Sequence, residues 1–375
     1  MIIAIDGYEA NVENRVGIGR YAFEILMHVH EMIDGSRDSV RVYLPCPPRS
    51  DMPKVTSWWN YRIAKPSKLW TFIGLPLILS KDFPKADVVF SPTHYIPRFI
   101  SIPRVCSIMD LSYLSYPEMF KAKDLHQLVE WTAYSVRHAT KILTISEFTK
   151  NAIIQKYHVS SDRIVVTYPG ITKMAGDKLH MTNVLEKYKI GKNYILSVGT
   201  LQPRKNFVRL IEAFSLLRGA DFDDMQLVIV GKKGWLYEDI LGAPQRFGVQ
   251  SRVKFLNFVP DEDLPTLYKH ALCFALPSLY EGFGLPVLEA MAYGCSVVVS
   301  NVSSLPEIAE KAGIYVDPED VESIAKGMRT ALDEREKRSG KERIAAGLTQ
   351  VKKFTWEKAA KQTLEVLKEV GKGTV

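Results

Sequence analysis

Short apolar runs alternate with segments of helical spacing along almost the whole chain, and they do so in two series. The first series is IIAIDG, VRVYLP, ADVVFSP, RVCSIMD, KILTISE and IVVTYPG, with helical patterns such as GIGRYAFEILMHVHEM, KDLHQLVEWTAYSVRHA and EFTKNAIIQKY between them. The rhythm stops over residues 171–193, a polar stretch with no strand pattern, and restarts with YILSVGT, QLVIVGK, VKFLNFV, LCFALPS, SVVVSN and GIYVDP. Strands buried on both faces read as continuous apolar runs, and helices between them are what a parallel sheet requires. The pattern therefore predicts an α/β chain of two Rossmann-like, doubly wound parallel-sheet domains facing each other across a cleft, with ligands at the carboxyl ends of the strands. A length of 375 residues suits two cores better than one. The expected division is 1–178 and 179–355, with a last helix at about 356–375 packing back on the first domain.

Several function classes drop out. The opening MIIAIDGYEA reads as a strand, because Asp6 interrupts it too early for a secretory signal. The most apolar window, LWTFIGLPLIL at 69–79, is broken by Gly74 and Pro76 and is too short to span a bilayer. The four cysteines, Cys46, Cys106, Cys273 and Cys295, match no zinc spacing and read as buried thiols of a cytoplasmic protein. No phosphate-binding G-x-x-x-x-G-K-[ST] and no nucleic-acid motif occurs. The D-x-D in DFDD, Asp221–Asp224, precedes a strand instead of following one, so it reads as a turn and not as a metal site.

Chemistry concentrates in SLYEGFGLPVLEAMAYG, residues 278–294. Glu281 lies on a loop just past the strand LCFALPS; Gly282 and Gly284 form a bend, and Pro286 suits the first position of the helix that carries Glu289. A helix start at a strand's carboxyl end can hold a diphosphate, leaving the two carboxylates for neighbouring sugar hydroxyls. A second block, VGTLQPRKN, sets Arg204 and Lys205 after the first strand of the second series, where they could neutralise that diphosphate. A third, GIGRYAFEIL, puts Gly17 and Gly19 after the first strand of all.

Together these blocks resemble glycosyltransferase family 4, the retaining nucleotide-sugar transferases of the GT-B fold. EGFGLPVLEA is similar to the family's E-x7-E signature, VGTLQPRKN to its diphosphate loop and GIGRYAFEIL to its N-terminal glycine loop. Within the family the chain looks most like bacterial mannosyltransferases of surface-polysaccharide pathways. The resemblance implies a GT-B architecture with an acceptor-side N-terminal domain and a donor-binding C-terminal domain. It implies that Glu289 holds the ribose, that Arg204 and Lys205 bind the diphosphate, and that Phe283, Gly284 and Leu285 support it through the backbone. Gly17 and Gly19 would close over the phosphates, and Glu281 and Asp110 would be the catalytic residues, Glu281 at the donor-sugar hydroxyls. The nucleotide sugar is then a co-substrate, and no cofactor or metal is implied. The chain departs from the family at Met109-Asp110-Leu111, where Met109 replaces a histidine; His94, in SPTHYIP, lies on the preceding loop. Three readings stay open at this point: a GDP-mannose-dependent mannosyltransferase, a UDP-sugar-dependent transferase of the same fold, and a weakly active nucleotide-sugar-binding protein.

The acceptor is expected on the first domain. Residues 49–104 hold nine Lys and Arg against three Asp and Glu, together with Trp58, Trp59 and Trp70. Basic residues with interfacial aromatics suit an anionic membrane surface, and so a glycan or lipid-linked saccharide acceptor and a peripheral place on the inner face of the cell membrane. The competing reading packs the three tryptophans in the core.

Overall fold

In the computed structural model, which describes residues 1–172, 181–219 and 222–373, all twelve apolar runs become strands. The first series gives β1 (Ile2–Asp6), β2 (Ser39–Leu44), β4 (Val88–Ser91), β5 (Arg104–Ile108), β6 (Lys141–Thr144) and β7 (Ile164–Val166). One strand was not expected: β3 (Trp59–Ile63) pairs with β2 at the edge of the sheet. The sheet is parallel throughout, in the order β3-β2-β1-β4-β5-β6-β7. The second series gives β8 (Tyr194–Val198), β9 (Gln226–Val230), β10 (Val253–Leu256), β11 (Cys273–Leu276), β12 (Val297–Ser300) and β13 (Gly313–Val316). They form a parallel six-stranded sheet in the order β10-β9-β8-β11-β12-β13. Strand order reverses beside β1 in the first sheet and beside β8 in the second, so the crevices open at the carboxyl ends of the pairs β1/β4 and β8/β11.

One compact unit holds Met1–Leu114, Ala122–Gly170 and Thr355–Val375; the other holds Ser115–Lys121 and Ile171–Phe354. The 178/179 boundary read from the sequence lies outside the described residues, as does Asp221 of the D-x-D. Asp224, in the turn before β9, accepts a hydrogen bond from the Asn193 side chain at 2.7 Å. The final helix, Trp356–Gly371, belongs to the first unit, where Trp356 lies 6.2 Å from the Tyr21 ring. Ser115–Lys121, a loop within the first series, belongs to the second unit, where the Trp235 indole N–H donates to the Met119 carbonyl at 2.6 Å.

Two expectations need correction. Trp59 and Trp70 are core residues, not interfacial ones, and Trp58 packs edge-on against Trp59 and beside His30. Trp59, the first residue of β3, is the buried one of that strand, and the Trp70 indole N–H reaches the buried Asp6 carboxylate at 2.8 Å. Of the cysteines, Cys106, Cys273 and Cys295 are buried, and burial pushes the first two thiols up to about 12; Cys46 is exposed. Among the described residues no helix is long and apolar enough to cross a membrane.

Candidate functional site

The loops leaving β8 and β11 meet at the crevice of the second sheet. Asn206, held at a positive φ of 60°, anchors the first loop by donating to the Pro277 and Pro318 carbonyls at 2.9 and 2.7 Å. A backbone bond from Leu279 N–H to the Arg204 carbonyl, 2.9 Å, ties the two loops together. These contacts bring Arg204, Lys205 and Glu281 into one cluster. The Lys205 ammonium donates to Glu281 Oε1 at 2.6 Å, and Arg204 Nη1 donates to Glu281 Oε2 at 3.1 Å and to the Tyr280 carbonyl. Ser278 Oγ adds a third bond to Oε1 at 2.7 Å.

Lys205 is 8% exposed and Glu281 5%, so the cluster is charged and largely dehydrated. Burial by itself would push the Glu281 carboxyl up, but the charges of Lys205 and Arg204 and the bonds from Lys205 and Ser278 outweigh it and hold the group below its ordinary value. The carboxylate is therefore ionised, and the three side chains sum to one positive charge. The sequence reading sends the cations to a diphosphate and Glu281 to a sugar; the structure joins all three, with Glu281 fixing both cations in place. The Glu281 backbone is pinned as well: its N–H donates to Ser303 Oγ at 3.0 Å, and Ser304 Oγ donates to its carbonyl at 2.9 Å.

The helix Leu285–Ala292 starts where expected, after Gly284, whose φ of 108° suits glycine alone and whose added Cβ would meet Leu305 at 2.8 Å. Two details differ from the sequence reading. Pro286 is the second helical residue, not the first. The N–H groups of Val287 and Leu288 both turn onto the Gly284 carbonyl, at 2.9 and 3.2 Å, and Pro286 has none. The first-turn N–H groups of Val287 and Leu288 are thus engaged within the helix itself. Glu289, half-buried one turn further on, accepts the Tyr268 hydroxyl at 2.8 Å.

Gly17, Gly19 and Asp110 belong to the first unit. Gly17 precedes the helix Ile18–Met32 at φ 52°, and Gly19 passes so close to the Glu9 carbonyl that a Cβ would lie 3.1 Å from it. Asp110 follows β5 and accepts the N–H and hydroxyl of Ser112 at 2.9 and 2.6 Å. His94, 8% exposed, accepts the Met109 N–H on Nε2 at 2.9 Å; burial lowers its basicity, against the pull of Asp110. It thereby braces the Met109-Asp110 turn as a neutral imidazole.

Sequence reasoning missed Ser278, Ser303, Ser304 and Tyr268. Ser278 stands three residues before Glu281, a spacing at which a hydroxyl can reach a carboxylate; the other three arrive from distant helices and loops with no local signal.

The family described as Glycosyl transferases group 1 matches residues 183–345, and Glycosyltransferase Family 4 matches residues 17–173. O-antigen chain mannosyltransferase B of Escherichia coli is 31% identical over 371 residues, spanning 94% of this chain and 96% of that protein. The serotype-specific mannosyltransferase WbdA of Escherichia coli is 32% identical over 263 residues, which cover 68% of this chain and 31% of WbdA. Among solved structures, sucrose-phosphate synthase from Thermosynechococcus elongatus shares the fold, with a TM-score of 0.76 at 16% identity and 98% of each chain covered. With two family matches and this identity along nearly its full length, the chain belongs to glycosyltransferase family 4 and is a glycosyltransferase.

Proposed function

We propose that the enzyme transfers mannose from GDP-mannose, with retention of anomeric configuration, onto a glycan or lipid-linked saccharide in the cytoplasm. The observation that carries the reading is the Arg204–Lys205–Glu281 cluster at the β8/β11 crevice. Two cations fixed by one buried carboxylate form a pre-positioned receptor for a diphosphate, and they favour it most as charge builds on the leaving group. In this reading they take the role that a divalent ion plays elsewhere. Glu281 acts on the reaction by holding both cations and, at the donor sugar, by accepting a hydroxyl. Glu289 accepts the ribose hydroxyls beside Tyr268. The relatives named as O-antigen mannosyltransferases support mannose as the sugar.

Retention follows if the acceptor hydroxyl attacks from the face that the diphosphate leaves, the departing phosphate oxygen taking its proton. Incubation with GDP-mannose, and separately with UDP-sugars, in the presence of a mannose-terminated saccharide tests this by product mass and by the anomeric proton resonance. A hexose-extended α-linked product from GDP-mannose is expected. Extension from a UDP-sugar alone, or a β linkage, would overturn the donor or the stereochemistry respectively.

A further inference from the structure

The segment Leu69–Lys81 is apolar on both sides. Its inward side packs Trp70, Leu75 and Leu79 with Tyr43 and Val89 in the core of the first unit. Its outward side carries Leu69, Ile73 and Leu77, at i, i+4 and i+8, and these are 51%, 40% and 47% exposed. A surface helix of a soluble protein is ordinarily polar on its outer face, so a second apolar stripe needs an occupant. Phe99, 93% exposed, is tied to the same turn: the neighbouring Arg98 guanidinium lies 4.8 Å from the Phe72 ring, next to Ile73.

The surroundings are basic. Residues 62–104 hold seven Lys and Arg against two acids. Both acids are engaged: Asp82 accepts the Tyr43 hydroxyl and pairs with Arg41 and Arg62, and Asp87 accepts the Ile2 N–H. Lys65, Lys68 and Lys81 flank the stripe and are exposed. Beside Arg98 opens a cavity of about 400 Å³, lined by Arg98, His126, Glu130, Trp131, Tyr134 and Arg137. It is large enough for a phosphate headgroup, and its basic side chains outnumber its single acid.

We propose that this face docks on an anionic lipid bilayer, with Leu69, Ile73, Leu77 and Phe99 entering the headgroup boundary and the flanking lysines meeting lipid phosphates. Trp59 and Trp70, both buried, take no part in this face. Charge decides between occupants: a second copy would bring an equally basic face against this one, whereas an anionic surface complements it. The proposal concerns where the enzyme works and does not depend on the identity of the donor.

The test is sedimentation of the full chain with phosphatidylcholine vesicles, with and without phosphatidylglycerol. The protein should pellet with the anionic vesicles at low salt, and much less with the neutral ones or at high salt. The double variant Ile73→Glu/Leu77→Glu should lower the bound fraction by about tenfold or more, and so should Lys65→Glu/Lys68→Glu/Lys81→Glu. Both variants should keep wild-type donor binding in solution, which separates a lost surface from a lost fold. Wild-type protein that stays in the supernatant at low salt overturns the proposal. So does binding unaffected by either variant, or a concentration-dependent dimer that the Ile73/Leu77 variant abolishes.

Discussion

Each sheet has a buried carboxylate at its crevice, and the two behave in opposite ways. Asp6 closes β1 in the first unit, and Glu281 follows β11 in the second; they are 2% and 5% exposed. Asp6 Oδ1 accepts two N–H groups, from Trp70 at 2.8 Å and Tyr8 at 3.1 Å, and no ion pair to it forms among the described residues. Burial dominates, and its carboxyl is pushed up to about 6 despite those two bonds. Glu281 suffers the same burial, yet two cations hold it below its ordinary value. Neutral hydrogen bonds soften the cost of burying a charge; adjacent cations reverse it. One crevice therefore carries a fixed charge constellation, while the other holds a buried carboxyl that keeps its proton up to about pH 6.

The largest expected effect breaks the charged side of this contrast. Lys205→Met leaves Glu281 buried against Arg204 and Ser278 only, and should cost about 3–5 kcal/mol of unfolding free energy in denaturant titration. The double variant Lys205→Met/Glu281→Gln should recover most of that loss. A single-variant cost within about 0.5 kcal/mol would mean that the pair contributes no more than a surface substitution does.

Next in size is pH dependence, where the two groups pull in opposite directions. Asp6 has a folded value raised from 3.8 to about 6, so the folded state keeps a proton that the unfolded chain has lost. That contribution is fully present below 3.8, declines as pH rises to about 6, and is constant above, for a total of about 3 kcal/mol. Asp6→Asn, which still accepts the Trp70 and Tyr8 N–H groups, should gain on the wild type by that amount across this window and then hold level. Glu281 has a lowered folded value, so its contribution is present above 4.5 and is lost as pH falls below it. Glu281→Gln should therefore flatten the acid limb alone. Parallel unfolding curves of both variants against pH would erase the contrast.

Smaller effects sharpen it. Glu289→Ala should weaken donor binding by about 1.5–3 kcal/mol, as expected for a charged hydrogen bond, with turnover at saturating donor changed less. Trp70→Phe keeps the ring in the core but removes the N–H from Asp6, and should cost about 1 kcal/mol while raising the Asp6 carboxyl further, seen as a wider pH window.

The parts of the molecule that were legible in the sequence are those set by local pattern. Apolar runs such as QLVIVGK and SVVVSN become the buried strands they resemble, because a strand covered on both faces has no place for polar residues. β3 escaped notice because WNYRI alternates, with Asn60 and Arg62 between its large residues, as suits an edge strand. The positions of Arg204, Lys205 and Glu281 were legible from their place after strands. That Glu281 clasps both cations was not, since a mutual ion pair and an open ligand site share the same residue types. Nor could Trp70 be placed, because its partner Asp6 lies 64 residues away.

In the proposed function the clasped pair Arg204–Lys205 is the diphosphate site. Calorimetric titration of GDP onto the wild type and onto Arg204→Gln, both in excess EDTA, tests it most directly. Wild-type binding should survive the chelator, and Arg204→Gln should weaken it by about tenfold or more. Binding that needs a divalent ion, or equal affinity in the two proteins, would contradict it.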